Sequence, residues 1–175
     1  CLDLNANGKC DTGERTAVTG PGGVYALDIS GLDPAAVAAA FLVVDIPTTA
    51  KDADDNGKTL AEAGKPAFRL RAPVSLVTPN QHYISPLSSF AAEQMMATGV
   101  TQAVATDWVR ARLGLAPTDQ LNIDFKADPA DPALRRIAEA ANDIFRMQAV
   151  LSVACTKVAP ADFNDCMNFA LKLTH

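Results

Sequence analysis

Two kinds of hydrophobic spacing divide the chain. Up to about residue 80, apolar residues alternate with polar ones or form short runs bounded by Gly and Pro; beyond it they recur every three or four positions. The first spacing predicts strands. Residues 15–19, a Gly-Pro turn at 20–23 and residues 24–29 read as strand, turn, strand, with Thr16, Val18, Val24, Tyr25, Leu27 and Ile29 as the β-branched, aromatic and aliphatic positions. A short helix is expected after Asp33 and Pro34, because proline suits a first helical turn. Residues 41–46 form an apolar run stopped by Pro47 and read as a buried strand. Residues 68–73 alternate apolar and charged, as a half-exposed strand does.

The second spacing predicts four helices. Ser85 and Pro86 open the first and Gly99 closes it, with Leu87, Phe90, Ala91 and Met95 on one stripe. Thr101 opens the second, with Val104, Trp108 and Leu113 expected to face inward and Gly114 at its end. Asp131 and Pro132 open the third, and Pro160 the fourth. The expected architecture is therefore α+β: a β domain over residues 1–80, packed with a four-helix region over residues 81–175.

Composition narrows the function. The 175 residues are 49% hydrophobic and 20% charged, enough apolar content for a buried core. The net charge of -5 disfavours nucleic acid, whose phosphate backbone selects basic surfaces. The most apolar stretch, residues 35–46, is interrupted by Asp45 and too short to span a bilayer, so no transmembrane segment is expected. No signal peptide is visible, although a targeting segment removed upstream of Cys1 is compatible with the sequence. The four cysteines fall into two local pairs, Cys1 with Cys10 and Cys155 with Cys166, and neither pair has the spacing of a zinc knuckle. Two local disulfides, and hence an oxidising compartment, are the simplest reading. Unpaired thiols, or a lipid-carrying Cys1, are the alternatives.

One motif stands out. Residues 3–14 match the twelve-residue calcium loop at each chemically demanding position. Asp3, Asn5 and Asn7 occupy positions one, three and five, where side-chain oxygens converge on the ion. Gly8 stands at position six, where the backbone must turn sharply, and Lys9 at position seven offers its carbonyl. Asp11 and Glu14 occupy positions nine and twelve. Calcium accepts six to eight hard oxygens, which is what this pattern supplies. The flanks are strand-like, so the loop is not an EF-hand proper. A second acidic stretch repeats the first half of the pattern with Asp52, Asp54 and Asn56, but Leu60 and Ala63 fall where ligands are needed. A solvated acidic loop is the competing reading there.

Taken with Gly23, Tyr25 and Leu27, the loop residues resemble the calcium-binding B-type repeats of bacterial surface proteins. That resemblance covers about the first 30 residues and, more loosely, extends to about residue 75. It implies a prealbumin-like β-sandwich akin to carboxypeptidase regulatory-like domains, with Asp3, Asn5, Asn7, Lys9, Asp11 and Glu14 around a Ca2+ ion. It also implies a stalk, spacer or adhesive role. The stretch from Ile84 to Ser89, followed by helices ending at Leu113–Leu115, is similar to a helical region of proteobacterial surface proteins and lipoproteins. One departure is plain: such a sandwich normally enters the loop from a strand, and only Cys1 and Leu2 precede Asp3.

Catalytic signatures do not assemble. His82 and His175 are the two histidines; Ser85, Ser88 and Ser89 lie near His82 without a nucleophile elbow. Asp52, Asp54, Asp55 and Glu62 form no recognisable acid/base pair. The expectation is a non-enzymatic, calcium-stabilised structural or adhesive module of an exported cell-surface protein, partnered by copies of itself or by another surface protein. Two explanations of the missing strand stay open: a longer protein whose own upstream residues complete the sheet, which is the simpler, or a strand added from a neighbouring subunit, which would build a fibre. The alternative is a surface or periplasmic protein holding a carbohydrate or other small ligand at the seam of its β and helical parts.

Overall fold

A computed structural model describes residues 1–51, 57–65, 67–74 and 82–155, with side chains as far as residue 147. It is a mixed α+β structure with a small antiparallel sheet and four helices. In chain order the elements are β1 (Leu2–Asp3), α1 (Pro34–Ala39), β2 (Phe41–Ile46), β3 (Phe68–Pro73), α2 (Pro86–Thr98), α3 (Gln102–Arg112) and α4 (Pro132–Cys155). The sheet order is β1-β2-β3. Leu2 pairs with Leu42 and Asp3 with Phe41, while Val43 faces Arg71 and Asp45 faces Arg69.

Because strand side chains alternate, this register gives the sheet two different faces. Leu2, Leu42 and Ala72 share one, which closes over Val37 and Ala40 as a small core with Tyr25, Leu27 and Ile84 at its margin. Asp3, Val43, Asp45, Arg69 and Arg71 share the other. The outer edge of β3 is covered by α2: the Arg71 N–H donates to Ser89 Oγ (2.8 Å), and Ser88 Oγ donates to the Arg71 carbonyl (2.8 Å). Two helix hydroxyls thus satisfy an edge that would otherwise stay open to another strand.

The helix signals are realised closely. Ser85 caps α2 in a reciprocal capping box with Ser88, Pro86 holds its first turn, and Gly99 ends it at φ 70° in the left-handed region. Thr101 caps α3, and Pro132 opens α4. Leu87, Phe90, Ala91, Val109, Ile137, Ala141 and Ile144 form the second and larger core. Leu115 and Leu121, from the connection between α3 and α4, also belong to it. The fourth expected helix, from Pro160, lies outside the described residues.

Several expectations need correction. Residues 15–19 and 24–29 are not strands; they run without regular pairing on either side of a 3-10 turn at Pro21–Gly23. Val18 and Val24 are 93% and 72% exposed, while Tyr25 and Leu27 rest against the small core. Alternation here marks a segment lying flat on a core, not a paired strand. On α3 the inward residues are Ala105 and Val109, whereas Val104 is exposed. Ala105 is fully buried in the core shared with α2, and Trp108 sits at the margin, its ring centroid 4.8 Å from that of Phe90. The charged residues of β3 were expected in solvent, yet Arg71 is 7% exposed, because the loop of residues 3–14 and α2 lie over it.

Candidate metal centre

The loop of residues 3–14 leaves β1 at Asp3 and returns toward it at Glu14. Asp3 is fully buried, held there by its pairing with Phe41. Its carboxylate accepts the Asn7 N–H at Oδ1 (3.2 Å) and the Gly8 N–H at Oδ2 (2.7 Å), so the first residue of the loop grips its middle. Asn5 Oδ1 accepts the Asn7 N–H (3.1 Å) and Asn7 Oδ1 accepts the Lys9 N–H (2.9 Å), two Asx turns in series. Gly8 makes the sharp bend at φ 76°, and Ala6 is also left-handed at φ 56°.

The far side of the loop folds back over the near side. The amide groups of Asn5 and Asn7 both donate to Asp11 Oδ2, at 2.9 and 2.6 Å. These two bonds stabilise the ionised form and hold the Asp11 carboxyl below its ordinary value. Glu14 accepts the Leu4 N–H at Oε1 (3.0 Å) and the Asp11 N–H at Oε2 (2.9 Å), tying position twelve to both arms. Asp3, Asn5, Asn7, Lys9, Asp11 and Glu14 are therefore linked through one local hydrogen-bond network.

A disulfide between Cys1 and Cys10 closes the loop at its base, with the Cα atoms 5.7 Å apart. Cys1 and Val43 exchange both backbone hydrogen bonds, N to O at 2.7 Å and O to N at 3.0 Å, so the bridge hangs the loop from the sheet. Constraining a segment of 9 residues' separation restricts the unfolded chain and is worth about 2–3 kcal/mol in the entropic account. Cys10→Ser is expected to lower stability by about that amount, read from a lower urea midpoint together with a slope that does not fall, since the released unfolded chain exposes more surface. An unchanged midpoint would refute it. The pairing of Cys155 with Cys166 lies outside the described residues.

The donors fit a hard cation in chemistry. The Asp3, Glu14, Asn5 and Asn7 oxygens engaged above each accept one bond and keep a further lone pair, whereas Asp11 Oδ2 already accepts two; every donor is an oxygen, as calcium requires. Among the described residues no group of three or more His, Cys, Asp or Glu side chains is arranged to hold a metal. An ion at this loop would therefore depend on Asn5, Asn7 and the Lys9 carbonyl as much as on carboxylates.

Reading the sequence missed the residues that hold the loop from behind. The Gly8 carbonyl accepts from Arg69 Nη1 (2.8 Å) and from Arg71 Nη2 (3.0 Å). Arg69 also pairs with Asp45, and Arg71 pairs through Nη1 with Glu93 of α2. Burial, and then the neighbouring Arg69, pull the Arg71 guanidinium below its ordinary pKa. Its Nε is buried without a hydrogen-bond partner. The signal was present as two arginines two residues apart on one strand, which must share a face. What that face meets is decided by tertiary packing.

Other candidates stand elsewhere. Asp52, Asp54, Asp55 and Asn56 lie outside the described residues. Glu62 accepts the Thr59 N–H (2.7 Å) and hydroxyl (2.9 Å), closing its own turn. The His82 carbonyl accepts the Tyr25 hydroxyl (3.0 Å), and burial lowers the pKa of its imidazole. Ser85, Ser88 and Ser89 are buried in the cap and edge contacts of α2. His175 lies outside the described residues. No protein-family model, curated protein or solved structure matches the chain. The likeness to B-type repeats thus rests on the loop residues with Gly23, Tyr25 and Leu27.

Proposed function

We propose that this chain is a calcium-stabilised structural or adhesive module of an exported cell-surface protein, with Ca2+ held by Asp3, Asn5, Asn7, Asp11, Glu14 and the Lys9 carbonyl. The observation that carries this reading is the convergence of positions nine and twelve on positions one to five, with Asp11 on the Asn5 and Asn7 amides and Glu14 on the Leu4 N–H. The Cys1–Cys10 bridge supports export, since disulfides persist in oxidising compartments. In this reading the sheet is part of a prealbumin-like sandwich, and a strand added from a neighbouring molecule would build a fibre. A carboxylate-rich loop and a bridged N-terminal segment need no catalytic group, in keeping with a non-enzymatic role.

Calcium-dependent melting tests the reading. Extracellular calcium modules bind at about 10⁻⁴–10⁻³ M, so about 10 mM calcium should stabilise the fold by roughly 1.5–3 kcal/mol relative to chelator. Glu14→Ala should remove that difference while leaving the chelated protein folded. Equal melting of the unaltered protein in calcium and in chelator would sink the proposal.

A second reading, a binding protein for a carbohydrate or other small ligand, draws on one cavity. It has a volume of about 230 Å³ and lies between β3, α2, α3 and the segment around residues 120–122. Gln102, Thr106, Arg110, Gln120 and Asn122 supply polar walls, and Ala72, Ala91 and Leu121 an apolar floor. Amides and a guanidinium suit hydroxyl or carboxylate groups. Backbone amide shifts at Gln102 and Thr106 on adding monosaccharides would favour this reading; a silent cavity across a sugar panel would discard it.

A further inference from the structure

The two backbone polar groups of Gly8 are both held by side chains of this chain. Its N–H donates to the buried Asp3 carboxylate at 2.7 Å. Its carbonyl accepts two guanidinium donors from the sheet, Arg69 Nη1 at 2.8 Å and Arg71 Nη2 at 3.0 Å. Neither arginine is loose. Arg69 pairs with Asp45 across the sheet, and Arg71 pairs with Glu93. The backbone of Arg71 is fixed by Ser88 and Ser89. A continuous line of polar contacts therefore runs from the first loop ligand, Asp3, through the bend at Gly8 and Arg71 to helix α2. Space at the bend is tight as well: a Cβ on Gly8 would stand 2.5 Å from Arg71 Nη2.

We infer that Arg69 and Arg71 are positioning residues for the cation loop, holding the left-handed bend at position six in place before the ion binds. This rests on the calcium reading above and deepens it. The physical reason is that a flexible acidic loop must be ordered when the ion binds, and that ordering weakens the apparent affinity by the fraction of time the loop is competent. Charge-assisted hydrogen bonds to a carbonyl are among the stronger contacts a side chain can make, and two converge on this one oxygen. The guanidiniums bind the Gly8 carbonyl, which is not among the six proposed ligands, so clamp and cation do not compete for the same oxygens. Anchoring through Glu93 also carries the consequence that loop and helical layer share one support.

The test is residue-resolved amide exchange in the full chain, in chelator and in saturating calcium, with calcium affinity measured by calorimetry. In the unaltered protein the Gly8 and Asn7 amides should exchange slowly in both conditions. Arg71→Lys keeps the charge but loses the fork; Arg69→Met acts at a more exposed position and keeps the test intact if the first variant folds poorly. In either variant these two amides should exchange faster in chelator, return to slow exchange in saturating calcium, and show calcium affinity lower by about tenfold. A purely structural role would instead speed exchange at core amides such as Ile144 and leave no calcium-dependent recovery confined to the loop. Calcium binding unaffected by either substitution, or rapid Gly8 exchange in the chelated unaltered protein, overturns the clamp and leaves the calcium reading standing. Slow, arginine-dependent exchange at Gly8 with no calcium response overturns the calcium reading instead.

Discussion

Gly8→Ala is expected to cost about 3 kcal/mol, far more than an alanine usually costs in an exposed acidic loop. Two separate effects add. The residue sits at φ 76°, where an L side chain pays roughly 1–2 kcal/mol against the following carbonyl. Its new methyl would also stand 2.5 Å from Arg71 Nη2 and 2.8 Å from Arg71 Cζ, closer than atoms tolerate. The side chain that must give way is buried and pinned to Glu93, so moving it weakens the hydrogen bond it makes to the Gly8 carbonyl. Gly13→Ala supplies the comparison. It is also left-handed, at φ 98°, but a Cβ there meets nothing within 4 Å. It should therefore cost only the backbone part, roughly 1 kcal/mol. Denaturant midpoints of the two variants, measured at equal slope, check the difference. Equal losses would show that the Arg71 contact contributes nothing at this bend.

Ile144→Ala should be the more damaging change, costing about 3–4 kcal/mol. Ile144 is fully buried on α4, among Leu87, Phe90, Val109 and Ile137. Removing most of its side chain forfeits transfer free energy and leaves a cavity that two helices cannot easily close. The residue makes no contact with the cation loop's hydrogen-bond network, so the variant should keep the calcium response of its parent while melting lower in both conditions. Thermal unfolding in calcium and in chelator measures both properties together. A loss below about 1 kcal/mol would mean that this core is not closely packed around α4.

How much of this could be read beforehand depended on whether the cause was local. Ser85, Pro86 and Gly99 bound α2 through capping and turn chemistry that needs no distant partner, and the structure follows them. The loop pattern from Asp3 to Glu14 is local too, and its Asx turns, left-handed Gly8 and back-folded Asp11 all form within twelve residues. Non-local pairing decided the failures. Residues 15–29 carry strand-forming side chains, but a strand exists only where a neighbour offers its backbone; here Tyr25 and Leu27 found a core and the backbone found no ladder. Val104 has the same spacing to Trp108 that Ala105 has to Val109, and only the packing of α2 against α3 selects the second pair. Arg71 looked like a solvent residue because nothing near it in sequence shows that Gly8 and Glu93 would close over it.

The central claim, a calcium ion held by the loop of residues 3–14, is tested most directly by calcium titration of the full chain, with calorimetry and backbone amide shifts recorded together. One site is expected, with a dissociation constant of about 10⁻⁴–10⁻³ M. Its largest shifts should fall on Asn5, Asn7, Lys9, Asp11 and Glu14, and both heat and shifts should vanish in Glu14→Ala. Absence of heat and of loop shifts in the unaltered protein at millimolar calcium, or saturation centred on residues outside the loop, would contradict the account.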